Sequence, residues 1–212
     1  VNKLPEIITD DIAYYCLNKY PKTITIDAVL ISGSINDYTY SWSTDETAYK
    51  IEINEPGDYS VLVTNSNNCS KERIIRVEAS NIATFESIDV VDASQNNIIT
   101  VITTGAGTYE YALLDSNNIL YRPNQASNTF ENIKPGIYIV YVKDVKNNCG
   151  SINDKVSVIG FPKFFTPNND GVNDTWQVYG ISDIFQPNSL IYIYDRYGKL
   201  LKQLMPSQAG WD

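Results

Sequence analysis

A chain of 212 residues is long enough for two or three small domains with ordinary cores. Its net charge of -9 and isoelectric point near 4.5 argue against a phosphate-tracking surface, so nucleic acid and anionic membranes fall away as partners. Histidine is absent, which removes the commonest general base and metal ligand, and the 25 Asp and Glu residues form no recognisable acid/base motif, so no enzyme and no resident cofactor is expected.

No apolar run reaches the ~18 to 20 residues of a membrane helix. The chain opens at Val1 without a basic and apolar leader, as a mature product or a fragment would. Apolar residues alternate with polar ones over short runs: Tyr38, Tyr40 and Trp42, then Ile51 and Ile53, then Tyr59, Val61 and Val63. Asn-Asn pairs at 67–68, 96–97, 117–118, 147–148 and 168–169 fall between the runs, where asparagine tolerates positive φ, and read as hairpin tips.

The stretch EPGDYSVLVTNSNNC (Glu55 to Cys69) returns as KPGIYIVYVKDVKNNC (Lys134 to Cys149), and YTYSW at Tyr38 returns as YEYAL at Tyr109. This period predicts tandem β-sandwiches over 1–79 and 80–160, followed by a shorter segment over 161–212. The fold class is all-β. In the first copy, Cys16, Trp42 and Cys69 follow the Cys, Trp, Cys order of immunoglobulin-like domains, which both copies resemble. That resemblance implies a Cys16–Cys69 disulfide worth roughly 4 kcal/mol in the chain-entropy model, the alternative being two buried thiols. Cys149 is left over, as a buried thiol or an inert turn residue.

From Phe161 the text changes. In FFTPNNDGVNDTW (Phe164 to Trp176), Phe164, Phe165 and Trp176 are large enough to anchor a small core, and Thr166-Pro167 stiffens the entry to the loop. Asn168, Asp170, Asn173 and Asp174 place oxygen ligands around Gly171, the arrangement of a calcium loop. Against the pattern D-x-[DN]-x-[DN]-G-x5-E, however, Thr166 and Gln177 occupy the first and twelfth positions. Calcium would therefore bind weakly, and a self-bonded Asx loop is the favoured reading. Further on, Asp195, Arg196, Tyr197 and Gly198 separate IYIY from LLKQL, predicting a tight hairpin with Gly198 at positive φ.

PKFFTPNNDGVNDTW (Pro162 to Trp176), IYIYDRYGKLL (Ile191 to Leu201) and GWD (Gly210, Trp211, Asp212) together resemble the gliding-motility-associated C-terminal domain. This is the type B sorting domain of the type 9 secretion system, which exports proteins across the outer membrane of certain Gram-negative bacteria. The resemblance implies a small β-sandwich that continues past GWD, so that 161–212 would be incomplete at its C-terminus. It implies that the motif residues are read by the outer-membrane translocon and its associated barrel proteins. Members are large secreted surface proteins such as adhesins, which makes this chain the C-terminal region of one, with immunoglobulin-like domains as stalk and any surface glycan or protein ligand held by N-terminal regions outside the chain. A carbohydrate- or protein-binding surface module is the alternative function.

Overall fold

The computed structural model describes residues 3–172, 174–182, 184–186, 188–205 and 210–211. The strands in chain order are β1 (Asp10–Cys16), β2 (Ile24–Asp27), β3 (Tyr38–Trp42), β4 (Lys50–Ile53), β5 (Gly57–Asn65) and β6 (Ser70–Ser80). They continue with β7 (Thr84–Val91), β8 (Ile98–Thr104), β9 (Tyr109–Asp115), β10 (Leu120–Gln125), β11 (Thr129–Phe130), β12 (Gly136–Asp144) and β13 (Ser151–Val158). The last two are β14 (Ile191–Tyr194) and β15 (Leu200–Leu204). The chain is all-β and falls into two compact units. The first is Val1–Ala83 with Gly105–Tyr109 and Lys143–Ser151; the second is Thr84–Thr104 with Glu110–Val142 and Ile152–Asp212.

In the first unit one sheet runs β1-β6-β5-β3 and faces the pair β2-β4. Strand alternation turns Tyr40, Trp42, Ile51, Ile53, Val61, Val63, Ile75 and Val77 into a single buried cluster between them. β1 lies parallel to β6, whereas β5 pairs antiparallel with both β6 and β3. Arg73 shares the inward face of β6 with Ile75 and Val77 and is only 2 % exposed. Its charge is accommodated because Nη2 meets Asp11 Oδ2 at 2.8 Å while Nε and Nη1 donate to the carbonyls of Asp27 and Ile8.

In the second unit the sheets are β10-β9-β12-β13 and β11-β8-β7. Their buried residues include Ile99, Val101, Leu113, Phe130, Val140, Val156 and Val158. Both strand orders are those of immunoglobulin-like sandwiches, and the Pro-Gly-x-Tyr of the repeat has a definite role in them. Tyr59 donates its hydroxyl to the Glu55 carbonyl at 2.9 Å, and Tyr138 donates to that of Lys134 at 2.8 Å. Each is a tyrosine corner that fixes the entry to the strand. Burial pushes the Tyr138 phenol well above its ordinary pKa, and its contact with Tyr121 adds to the shift.

The turns share one device. The side chain of Asn65 accepts the amides of Asn67 and Cys69, Asp115 accepts those of Asn117 and Ile119, and Asp195 accepts those of Tyr197 and Lys199. The residue three along has positive φ in each: Asn68, Asn118 and Gly198. The 96–97 pair differs from the expected tip. Asn97 is buried and donates to the Ile133 carbonyl while accepting from Ser94, so it ties two loops together rather than turning one.

The cysteines correct the sequence reading. Cys16 is bonded to Cys149 with the Cα atoms 5.5 Å apart, and Cys69 is free. The expected Cys16–Cys69 bridge is ruled out by register: Cys16 lies opposite Ser80 at one end of β6, whereas Cys69 precedes Ser70 at the other. The 11 residues of β6 span roughly 35 Å, against a limit of about 7 Å between bridged Cα atoms. Cys16 also precedes β2, the strand that an immunoglobulin-type cysteine would occupy, so the Cys, Trp, Cys order was present without its geometry.

Candidate functional site

Residues 159–212 carry the motifs. Gly160 and Tyr179 exchange both backbone hydrogen bonds, as do Trp176 and Trp211. The second bridge joins the first motif to the third. Trp176 also donates its indole N–H to the Pro162 carbonyl at 3.0 Å and packs against Phe161, with ring centroids 6.0 Å apart. Phe165 packs on Trp211 at 5.3 Å. The need for glycine in GWD is steric, because a Cβ at Gly210 would come within 2.6 Å of the Trp176 carbonyl oxygen. Asp212 lies outside the described residues.

The hairpin of β14 and β15 contributes Ile193 to this cluster. Lys163, Phe164, Phe165, Trp176, Ile193 and Trp211 line an open groove of about 400 Å³. Phe164 stands at its rim, 67 % exposed, and Tyr197 at the hairpin tip is 81 % exposed, with the Arg196 guanidinium 5.1 Å from its ring centroid. The expected tight turn is present, with Gly198 at φ +84° and its amide donating to the Asp195 carbonyl.

The Asx loop folds on itself. Asp174 accepts the amides of Asn168, Asn169 and Gly171 at 3.2, 2.7 and 2.7 Å. Asp170 accepts the Asn168 side-chain amide and the Val172 backbone amide, and these two bonds hold its carboxyl below the ordinary value. Thr166 closes the loop by donating to the Val172 carbonyl. Of the four residues considered for calcium, Asn173 lies outside the described residues, and the Asp174 oxygens point at backbone amides. Among the described residues no three His, Cys, Asp or Glu side chains converge to hold a metal.

Sequence reasoning missed two groups. Arg73 was invisible because alternation marks its position as apolar. Asp144 aligns with Asn65 in the repeat, and that correspondence was the available signal. It is fully buried and gathers Ser80 Oγ and the amides of Thr108, Lys146, Asn147 and Cys149.

No curated protein matches the chain. Among solved structures, DIP-gamma IG1+IG2 is similar over 76% of this chain and 99% of that one, at 12% identity and TM-score 0.39. The N-terminal eight Ig domains of Down Syndrome Cell Adhesion Molecule are similar over 74% of this chain and 28% of theirs, at 12% identity and TM-score 0.43. The family model CHU_C, Type IX secretion signal domain, matches residues 159–212. Over this last quarter of the chain, where the Trp176–Trp211 bridge joins the first motif to the third, the match to a type IX secretion signal domain implies export and engagement of the type IX machinery.

Proposed function

We propose that the chain is the C-terminal region of an adhesin-like, gliding-associated cell-surface protein, without catalytic activity. Its immunoglobulin-like sandwiches form a stalk, and residues 159–212 are read by the outer-membrane translocon and its associated barrel proteins after passage through the periplasm. The observation that carries the reading is the family match over 159–212, whose aromatic and glycine motifs meet in one structure. The recognised surface is the rigid loop from Phe164 to Trp176 together with the hairpin tip at Tyr197. A loop held by its own carboxylates loses little conformational entropy on docking.

The glycan-binding alternative gains nothing from the tyrosines of the repeat, since Tyr59 and Tyr138 direct their hydroxyls to backbone carbonyls. To test export, the whole chain with an epitope tag and a secretion leader would be produced in a bacterium with an intact type IX system and in one with the system disabled. Release or surface display is expected only in the first, and reduced by Trp176→Ala. Equal display in both strains would end the proposal.

A further inference from the structure

The Cys16–Cys149 bridge has a topological consequence that does not depend on the export reading. Cys16 closes β1, and Cys149 lies just ahead of β13. Everything from β2 to β12 therefore sits inside a covalent ring. We propose that the bridge is a tension bypass: force applied to the two ends of the chain runs covalently from β1 through the disulfide to β13, so that the backbone of residues 17–148 cannot be drawn out by it.

The surroundings are built to keep the bridge closed. Cys16 and Cys149 are 4 % and 5 % exposed, so a reductant in solution does not reach the sulfurs while the fold stands. The Asn147 side-chain amide lies 3.3 Å from Cys16 Sγ and 3.1 Å from the Tyr14 carbonyl, while Asn18 donates to the Cys149 carbonyl at 3.2 Å. Lys146 donates to the Ala79 carbonyl and pairs with Glu78 at 3.0 Å. Asp144 fixes the loop that presents Cys149 through its three amides from Lys146, Asn147 and Cys149. Thiol exchange with Cys69 is excluded in the folded chain by the length of β6, roughly 35 Å.

The sequence separation of 133 residues corresponds to about 440–480 Å of extended chain that the bridge withholds. The test is to pull the full 212-residue chain between handles at its two ends in a single-molecule force experiment. The oxidised protein is expected to extend without that increment. The increment appears in Cys16→Ser/Cys149→Ser, and also in the wild type once a small dithiol is present and the strands around the bridge have been pulled open. The dithiol supplies two electrons to the sulfur–sulfur bond, leaving two cysteine thiols and its own disulfide.

Should the double variant fail to fold, the wild type with and without dithiol carries the comparison, and non-reducing peptide mapping identifies the bonded pair. Release of the full contour by the oxidised protein would overturn the proposal. So would an increment of about 175–190 Å, which a Cys16–Cys69 bridge would withhold instead. Alkylation of the unstrained protein gives a further outcome: Cys69 alone is expected to react in the presence of dithiol, and rapid labelling of Cys16 and Cys149 would refute the protection on which the bypass depends.

Discussion

Replacing Asp144 by Asn keeps the shape of the side chain and removes one acceptor from a fully buried site. Oδ2 now takes Ser80 Oγ and the amides of Cys149 and Asn147 at 2.9, 2.9 and 3.2 Å, while Oδ1 takes those of Lys146 and Thr108 at 3.1 and 3.3 Å. The better orientation of the new amide leaves its oxygen with the first three donors and turns its NH2 toward the other two. Two part-buried N–H groups unmet at roughly 1 kcal/mol each, with charge assistance lost at the remaining three, give a destabilisation of about 3 kcal/mol. The assay is urea unfolding followed by Trp42 fluorescence in a Trp176→Phe/Trp211→Phe background. Burial pushes the Asp144 carboxyl up, but the amides of Cys149, Asn147 and Lys146 and the Ser80 hydroxyl outweigh it and hold the group below its ordinary value of 3.8. With the folded value depressed, the stabilisation is complete above about pH 3.8 and is lost as pH falls through the folded pKa. The gap between wild type and Asp144→Asn should therefore narrow in acid. A gap under about 1 kcal/mol at pH 7, or one that stays constant to pH 3, would refute the reasoning.

Asp174→Ala removes the acceptor of three loop amides and is expected to lower hydrogen-exchange protection at Asn169 and Gly171 by roughly 10- to 100-fold; unchanged protection would count against the self-bonded loop. Gly180 and Gly198 have φ of +81° and +84°, but a Cβ at Gly180 would run into the Val158 carbonyl whereas nothing lies within 4 Å at Gly198. Gly198→Ala should therefore cost about 1 kcal/mol and Gly180→Ala at least 2–3 kcal/mol by urea unfolding, and equal effects would disprove the contrast. Calcium at about 1 mM should move the thermal midpoint by less than ~1 °C, since the Asp174 oxygens already hold amides; a saturable shift of several degrees would restore the ion-binding reading.

Period-2 alternation was enough to place the inward faces of β3, β4 and β5, because a sheet with one buried side imposes that pattern directly. The repeat was legible for a related reason: Pro-Gly-x-Tyr encodes a corner whose tyrosine bonds backward to its own loop, so all its parts are close in sequence. The same locality made the DRYGK turn readable. Arg73 shows the limit, since its partners Asp11, Asp27 and Ile8 lie on other segments and no local pattern announces them. For Asp174 the sequence favours a self-bonded loop but leaves weak calcium ligation open, because composition supplies oxygens without saying whether backbone amides or an ion will take them; here the amides of Asn168, Asn169 and Gly171 do.

The two C-terminal cysteines of the repeat make the same point more sharply. Cys69 and Cys149 end copies of one motif, yet one is free and the other bonded. The local difference is small: the Asn65 turn closes on Cys69, while the Asp144 turn is one residue longer and closes on Cys149. That extra residue and the second carboxylate oxygen let Asp144 hold three loop amides and still accept Ser80 at the end of β6, where β1 delivers Cys16. Asn65, with one acceptor oxygen, instead turns its NH2 to the Lys3 carbonyl at the opposite end of the strand. Which cysteine is bonded therefore follows from which end of β6 each turn meets, and that is a property of the parallel β1 register, for which a single sequence carries no local signal.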